Sequence, residues 1–430
     1  MAKPKLALLP AAQGSKLYSV LPSSGVGDFN FTRSGSATRI NSQGLIETVA
    51  SGVSRLNYPM IDGVVKGCPH HILEPQRTNA IPYSEDFANS DWAKTASTIT
   101  SNSIISPDGT LNASKLTEDT SSSTHRIYDT IITSSGVVHT QSIFAKSGGN
   151  GRFLRMFRGS GTYNFAVFDL DNGVVFSQGG SNIISTKIEK YPNGWYKCSS
   201  TFTTQFSNIA TYYGIQNGSL DSYTGDGTSG IYIWGAQLEQ GSYPTSYIPT
   251  NGSQVTRSAE TCNNAGNSNV FNDSEGVLMA EISALANDGT SRRISISAGN
   301  TNNNNLVSLI YGASNRISPS IYSGGSFQMG GDYTLPNQTE TIKVALKYST
   351  NDAALWVNGL EVLTDTSVTT PVGLDQIKFE YGNGSNKFYG KTKGIYVFNE
   401  ALTDDELQQL TGPEYNSFAA LAAAYNYTVI

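Results

Sequence analysis

A chain of 430 residues is too long for one ordinary core, so two or three domains are expected. Charged residues make up only 14%, while 38% hydrophobic and 10% aromatic content suffices for cores, which excludes a disordered chain and points to a turn-rich all-β one. A net charge of −6 offers no basic footprint for nucleic acid, and no stretch approaches the ~20 apolar residues of a membrane-crossing helix.

The chain starts "MAKPKLALLPAAQG", where a basic start precedes an apolar run broken by Pro10, so no export signal is expected there. Residues 1–72 hold scattered Gly, Pro and Ser with short apolar pieces. "DFNFTRSGSATRINSQGLIETVA" reads as an extended arm or a few short strands, buried against a neighbouring domain or another chain. Cys68, Cys198 and Cys262 are an odd set without CxxC spacing, which gives neither a zinc site nor a disulfide framework. His70 and His71 lack further ligands at metal-site spacing, so packing or turn roles are expected.

Strand signals dominate residues 73–250. "TQSIFAKSG", "YNFAVFDLDNG", "WYKCSSTFTT", "ATYYGIQNG" and "GIYIWGAQLE" are separated by Gly, Asn, Asp and Ser clusters, and Asn172-Gly173 marks a hairpin. Residues 251–274 are polar and aperiodic and read as a linker. A second strand series fills residues 275–412. In "TIKVALKYS", Ile342, Val344, Leu346 and Tyr348 alternate with Lys343, Ala345 and Lys347, and Asn358-Gly359 is another hairpin turn. "TDDELQQL" is the clearest helix, with Thr403 as cap and Glu406 able to reach back to it. Residues 413–430 form a tail in which "NSFAALAAAYNYTVI" suits a second short helix.

Three stretches carry a resemblance. "LEPQRTNAIPYSEDFANSDWAKT" (residues 73–95) and "GIYIWGAQLEQGSYPTSYIPT" (residues 230–250) resemble the opening and close of carbohydrate-binding-module-like jelly rolls. "ALWVNGLEV" and "FYGKTKGIYVFNEALTDDELQQL" resemble laminin-G-like, concanavalin-A-like jelly rolls. "DFNFTRSGSATRINSQGLIETVASGVSRLNYP" resembles the start of bacteriophage tail-fibre, head-fibre and other virion surface proteins. The resemblance implies two tandem jelly-roll β-sandwiches with an extended N-terminal arm and a short C-terminal helix and tail. It also implies a virion-surface location, assembly in the host cytoplasm and release by lysis. The expected partners are other virion proteins through the arm, host-surface glycans, and further copies of the chain, with a trimer as the expected homo-oligomer.

Jelly-roll topology brings first and last strands together, so Glu85, Asp86 and Glu239 are expected near one edge. Two readings stay open there: a structural calcium site of carboxylates and carbonyls, as related modules carry, or solvated and capping carboxylates. Sugars stack on aromatic rings, so an exposed Trp or Tyr would form a platform. Trp195 and Trp234 read as core, which leaves Tyr212, Tyr213 and Tyr223, with Asp226 in "LDSYTGDGTSG", as the glycan candidates. "FRGSGTYN" lacks GxSxG spacing, His125 and His139 lack a nucleophile partner, and no paired carboxylates are legible. A non-enzymatic attachment protein is expected. The alternatives are a purely architectural decoration protein and a polysaccharide-degrading enzyme.

Overall fold

Apolar residues spaced two apart, punctuated by Gly and Asn, build sheets along nearly the whole chain. The computed structural model describes residues 2–159, 164–299 and 303–412. Within them the chain is all-β apart from one 3-10 turn and the α-helix Asp404–Thr411. It divides into two units, one holding residues 1–32, 71–73 and 261–430, the other residues 33–70 and 74–260.

The second of these is a sandwich of two six-stranded antiparallel sheets. The front sheet runs Ala93–Thr95, His125–Ile132, Asn208–Asn217, Arg152–Gly159, Asn164–Asp169 and Val174–Gly179. The back sheet runs Ser97–Ile104, Ala113–Glu118, Gly230–Gln240, Val138–Ser147, Trp195–Thr203 and Ile183–Lys190. Alternate residues face inward, so Ile127, Leu154, Met156 and Tyr213 meet Ile143, Cys198, Ile231 and Ile233 in one core. Asn172 and Gly173 lie in the turn between two paired strands, as expected.

On the outer side of the back sheet, Phe144, Trp195 and Trp234 would be wet were they not covered. Ile46, from the hairpin of Ala37–Ile40 and Ile46–Val49, packs on them together with Tyr247. The covering segment is fastened by buried charge. Arg33 pairs with Glu260 at 2.8 Å, Arg55 with Glu260 at 2.5 Å and with Glu74 at 2.9 Å, and Arg257 with Glu74 at 2.9 Å. All five residues are 3% exposed or less. Burial alone would raise the Glu74 carboxyl, but Arg257 and Arg55 outweigh it and hold the group well below the usual carboxylate range. Glu260 is likewise lowered, burial being outweighed chiefly by Arg55.

The other unit contains a long antiparallel sheet. Its order is Thr261–Asn263, Phe29–Thr32, Lys16–Leu21, Leu6–Gln13, Gly390–Phe398, Glu275–Ala284, Ile342–Ser349, Ala353–Val357 and Leu360–Asp365. A second sheet runs Ser326–Met329, Arg316–Ser323, Leu306–Tyr311, Arg292–Ser297 and Gln376–Lys378. Asn358 and Gly359, at φ 48° and 86°, form the expected two-residue turn, both in the left-handed region that such a hairpin requires. The helix begins in the expected capping box of Thr403 and Glu406, and its Leu407 is buried against Val277, Ala354, Trp356 and Phe398.

Of the two readings of residues 1–72, the structure holds the few short strands buried against neighbouring domains and not the extended arm. Residues up to Thr32 supply strands to the long sheet, burying Leu6, Leu8, Leu17, Phe29 and Phe31, while residues 33–70 belong to the other sandwich. The physical reason is that these short apolar pieces complete sheets and a charge network whose remaining members lie far along the chain. The expected linker, residues 251–274, also pairs. Val255–Arg257 lies against Arg77–Asn79 and Thr261–Asn263 against Phe29–Thr32, so the division falls between Glu260 and Thr261. The tail, residues 413–430, lies outside the described residues. No helix among the described residues is long and apolar enough to cross a membrane.

Candidate functional site

Inward-facing residues of the front sheet fill the core, so their neighbours form rows on its outward face. Register places Tyr128 opposite Tyr212, Tyr212 opposite Phe157, and Phe157 opposite Phe165. The Phe157 and Tyr212 rings stack at 4.4 Å, and Tyr128 adds a ring 4.8 Å from Tyr212. In the next row Arg126 lies opposite Gly214, and Gly214 opposite Arg155. Both arginines lean back over the aromatics. Arg126 sits 4.8 Å from the Tyr212 centroid and 5.3 Å from that of Phe157; Arg155 sits 5.4 Å from Phe157 and 4.5 Å from Phe165.

Beside these rows lies a partly open cleft of about 320 Å³, lined by Thr124, Arg126, Arg155, Phe165, Gly214 and Asp221 among others. Arg155 Nη1 donates to Gln216 Oε1 at 2.9 Å, and its Nη2 lies 3.3 Å from Asp221. Arg126 Nε is buried and has no acceptor among the described residues. The arrangement can hold a small polar ligand against rings and guanidinium groups.

The tyrosine candidates separate. Tyr212 lies on the outward face. Tyr213, one residue on, points into the core, where it packs 5.9 Å from Trp92 and donates to Ser142 O at 3.2 Å. Tyr223 is buried and donates to Glu118 Oε2 at 2.5 Å. Glu118 also takes Arg152 Nε and Nη2 at 2.9 and 2.8 Å, and the amide of Asp226 at 3.0 Å. Burial would raise Glu118, but these partners, Arg152 first, hold it low. Exposed Asp226 accepts from the amides of Thr228 and Ser229, both at 2.7 Å, and from the Ser229 hydroxyl at 2.6 Å, so it shapes its own turn.

The three carboxylates at the expected sandwich edge have separate partners. Glu85 accepts from Tyr247 at 2.8 Å and Asn112 at 3.2 Å, and burial pushes its carboxyl up. Asp86 is exposed. Glu239 is fully buried and accepts from Gln237 at 2.6 Å, the Thr245 amide at 2.8 Å and the Thr245 hydroxyl at 2.6 Å. Among the described residues no group of three or more His, Cys, Asp or Glu side chains could hold a metal ion, so the three are not gathered into one cluster. Structurally, Glu85 and Glu239 serve as acceptors for nearby side chains and backbone.

Sequence reasoning passed over Arg126, Arg155, Phe157, Phe165 and Gly214. The available signal was parity: "RIY", "RMF" and "YYG" set Arg126 with Tyr128, Arg155 with Phe157, and Tyr212 with Gly214 two apart, out of step with the apolar residues of the same strands. All four tryptophans are buried, as read for Trp195 and Trp234, and His70 and His71 are buried too.

No family model matches the chain, and no curated protein matches it. Among solved structures, the CBM40 domain of Ruminococcus gnavus IT-sialidase bound to alpha2,3 sialyllactose is 18% identical, over 34% of this chain and 86% of that one, with a TM-score of 0.29. Trypanosoma rangeli sialidase in complex with sialic acid is 9% identical over 90% of this chain and 78% of its own, with a TM-score of 0.29. Domains LG4-5 of the mouse laminin alpha1 chain are 10% identical over 64% of this chain and 88% of their own, with a TM-score of 0.24. Likeness this distant assigns no function, and the functional reading rests on the residues themselves.

Proposed function

We propose that the protein is a non-enzymatic bacteriophage virion surface protein whose front sheet holds host-surface or environmental glycans. The observation that carries this reading is the outward row Tyr128–Tyr212–Phe157–Phe165, set beside a polar cleft on the side of the sheet away from the core. The half-buried rings of Tyr128, Tyr212 and Phe165 give apolar sugar faces a platform, and the cleft's polar groups give hydroxyls and charged substituents their partners. The virion setting is supported by the resemblance of residues 28–59 to the start of fibre proteins. Attachment by weak single contacts gains from repetition, so a homo-oligomer, expected as a trimer, would supply avidity. Exposed Tyr18 and Val20, alternate residues of one strand, offer apolar surface for such assembly.

The test is a glycan array probed with the full chain, run beside light scattering and an assay for new reducing ends on host polysaccharide. Retention on saccharides, a trimeric mass and no products are the expected results. Silence across the array favours the architectural reading, product formation the enzymatic one, and a monodisperse monomer overturns the assembly.

A further inference from the structure

We infer that the ligand of this face is an acidic saccharide whose carboxylate is taken by Arg126 and Arg155, an inference that rests on the glycan-binding reading of the same face. What an approaching molecule meets is decided by the arginines. Phe157, at the centre of the aromatic row, is only 6% exposed, because its neighbours include guanidinium groups 5.3 and 5.4 Å from its centroid. A neutral pyranose seated on that ring would have to displace two cation–π contacts. A carboxylate would use them. A guanidinium carries five N–H donors, more than its ring and protein contacts use, and its planar fork matches two carboxylate oxygens.

Gly214 makes room for the acid group. It lies in register between the two arginines, on the middle of three neighbouring strands, and has no side chain to fill the gap. A Cβ there would come within 3.3 Å of Arg126 Cβ and 3.2 Å of His125 O. Strand spacing sets the two arginine backbones roughly 10 Å apart across it, far enough for an acid group to enter between the side chains.

The local charge balance agrees. Asp221 engages one edge of Arg155 at 3.3 Å, and Gln216 accepts from another at 2.9 Å. Arg126 makes no ion pair among the described residues, and its buried Nε lacks an acceptor. His125 also lines the cleft, but its ring nitrogens lie 2.6 Å from Ala96 O and 3.1 Å from Tyr223 O, with Asp119 3.7 Å from Nδ1. Two arginines against one aspartate leave the cleft positive on a chain of net charge −6.

The decisive experiment prints uronic and nonulosonic acid oligosaccharides beside the same compounds with their carboxyls reduced to alcohols, and probes both sets with the full-length protein. The expected result is retention on the acidic set at least tenfold above the reduced set, weakening as salt rises. Arg126→Ala and Arg155→Ala should each lose tenfold or more while still unfolding cooperatively well above the assay temperature, with Arg126→Lys in between. Equal retention on both sets would sink the carboxylate reading while leaving glycan binding standing. Silence on both sets would sink the two together. Folded arginine variants that bind as wild type would overturn the assignment of these residues.

Discussion

The rings of Phe157 and Tyr212 stack 4.4 Å apart and within 7° of parallel, from directly opposed positions on two antiparallel strands. The pair is the floor on which both arginines rest, so a cross-strand contact that stabilises the sheet also aims the groups that face a ligand.

Phe157→Leu keeps apolar volume and removes the plane. Loss of the ring stack and of two cation–π contacts should lower stability by about 1–2 kcal/mol, read as a lower melting temperature. Array retention should fall as well, because the guanidinium groups lose their support. Retention at the wild-type level in the folded variant would confine Phe157 to packing.

The buried network of Arg33, Arg55, Glu74, Arg257 and Glu260 should be sensitive to acid. Glu74 and Glu260 are held below the unfolded carboxylate value, so their contribution is complete above roughly pH 4.5 and disappears as pH falls through their folded values. Glu260→Gln should cost about 3–5 kcal/mol at pH 7, because Arg33 and Arg55 lose a buried partner. Urea midpoints measured from pH 7 to pH 3 should fall less steeply in this variant than in wild type. Parallel slopes would show that Glu260 does not titrate with folding.

Tyr223 and Asp226 serve the loop they sit in. Tyr223→Phe should cost about 1.5–3 kcal/mol through the lost bond to the charged Glu118, and Asp226→Ala should quicken amide exchange at Thr228 and Ser229. Both should leave saccharide retention unchanged. A selective loss of binding in a variant of normal stability would return these residues to the ligand site.

Calcium removal should leave the melting temperature unmoved, because Glu85 and Glu239 already accept protein hydrogen bonds and Asp86 stands apart in solvent. Scans with excess chelator and with added calcium check this. A clear upward shift with calcium would favour the structural metal site over the capping-carboxylate reading of the sandwich edge.

What the sequence determined by itself is whatever depends on neighbours a few residues away. Alternation located the strands, Asn358-Gly359 imposed its turn, and Thr403 and Glu406 capped the helix. Tertiary structure alone decided which strands became neighbours. Arg126, Phe157, Phe165 and Gly214 come from four strands, and only the sheet order sets them side by side. It also decided between Tyr212 and Tyr213, adjacent residues that an alternating strand must send to opposite faces, once the core had claimed one face. The same holds for Arg33 and Arg55, polar residues in a segment that reads as an arm. Their carboxylate partners, Glu74 and Glu260, lie beyond it in sequence, and a buried charge is stable only where such partners meet it.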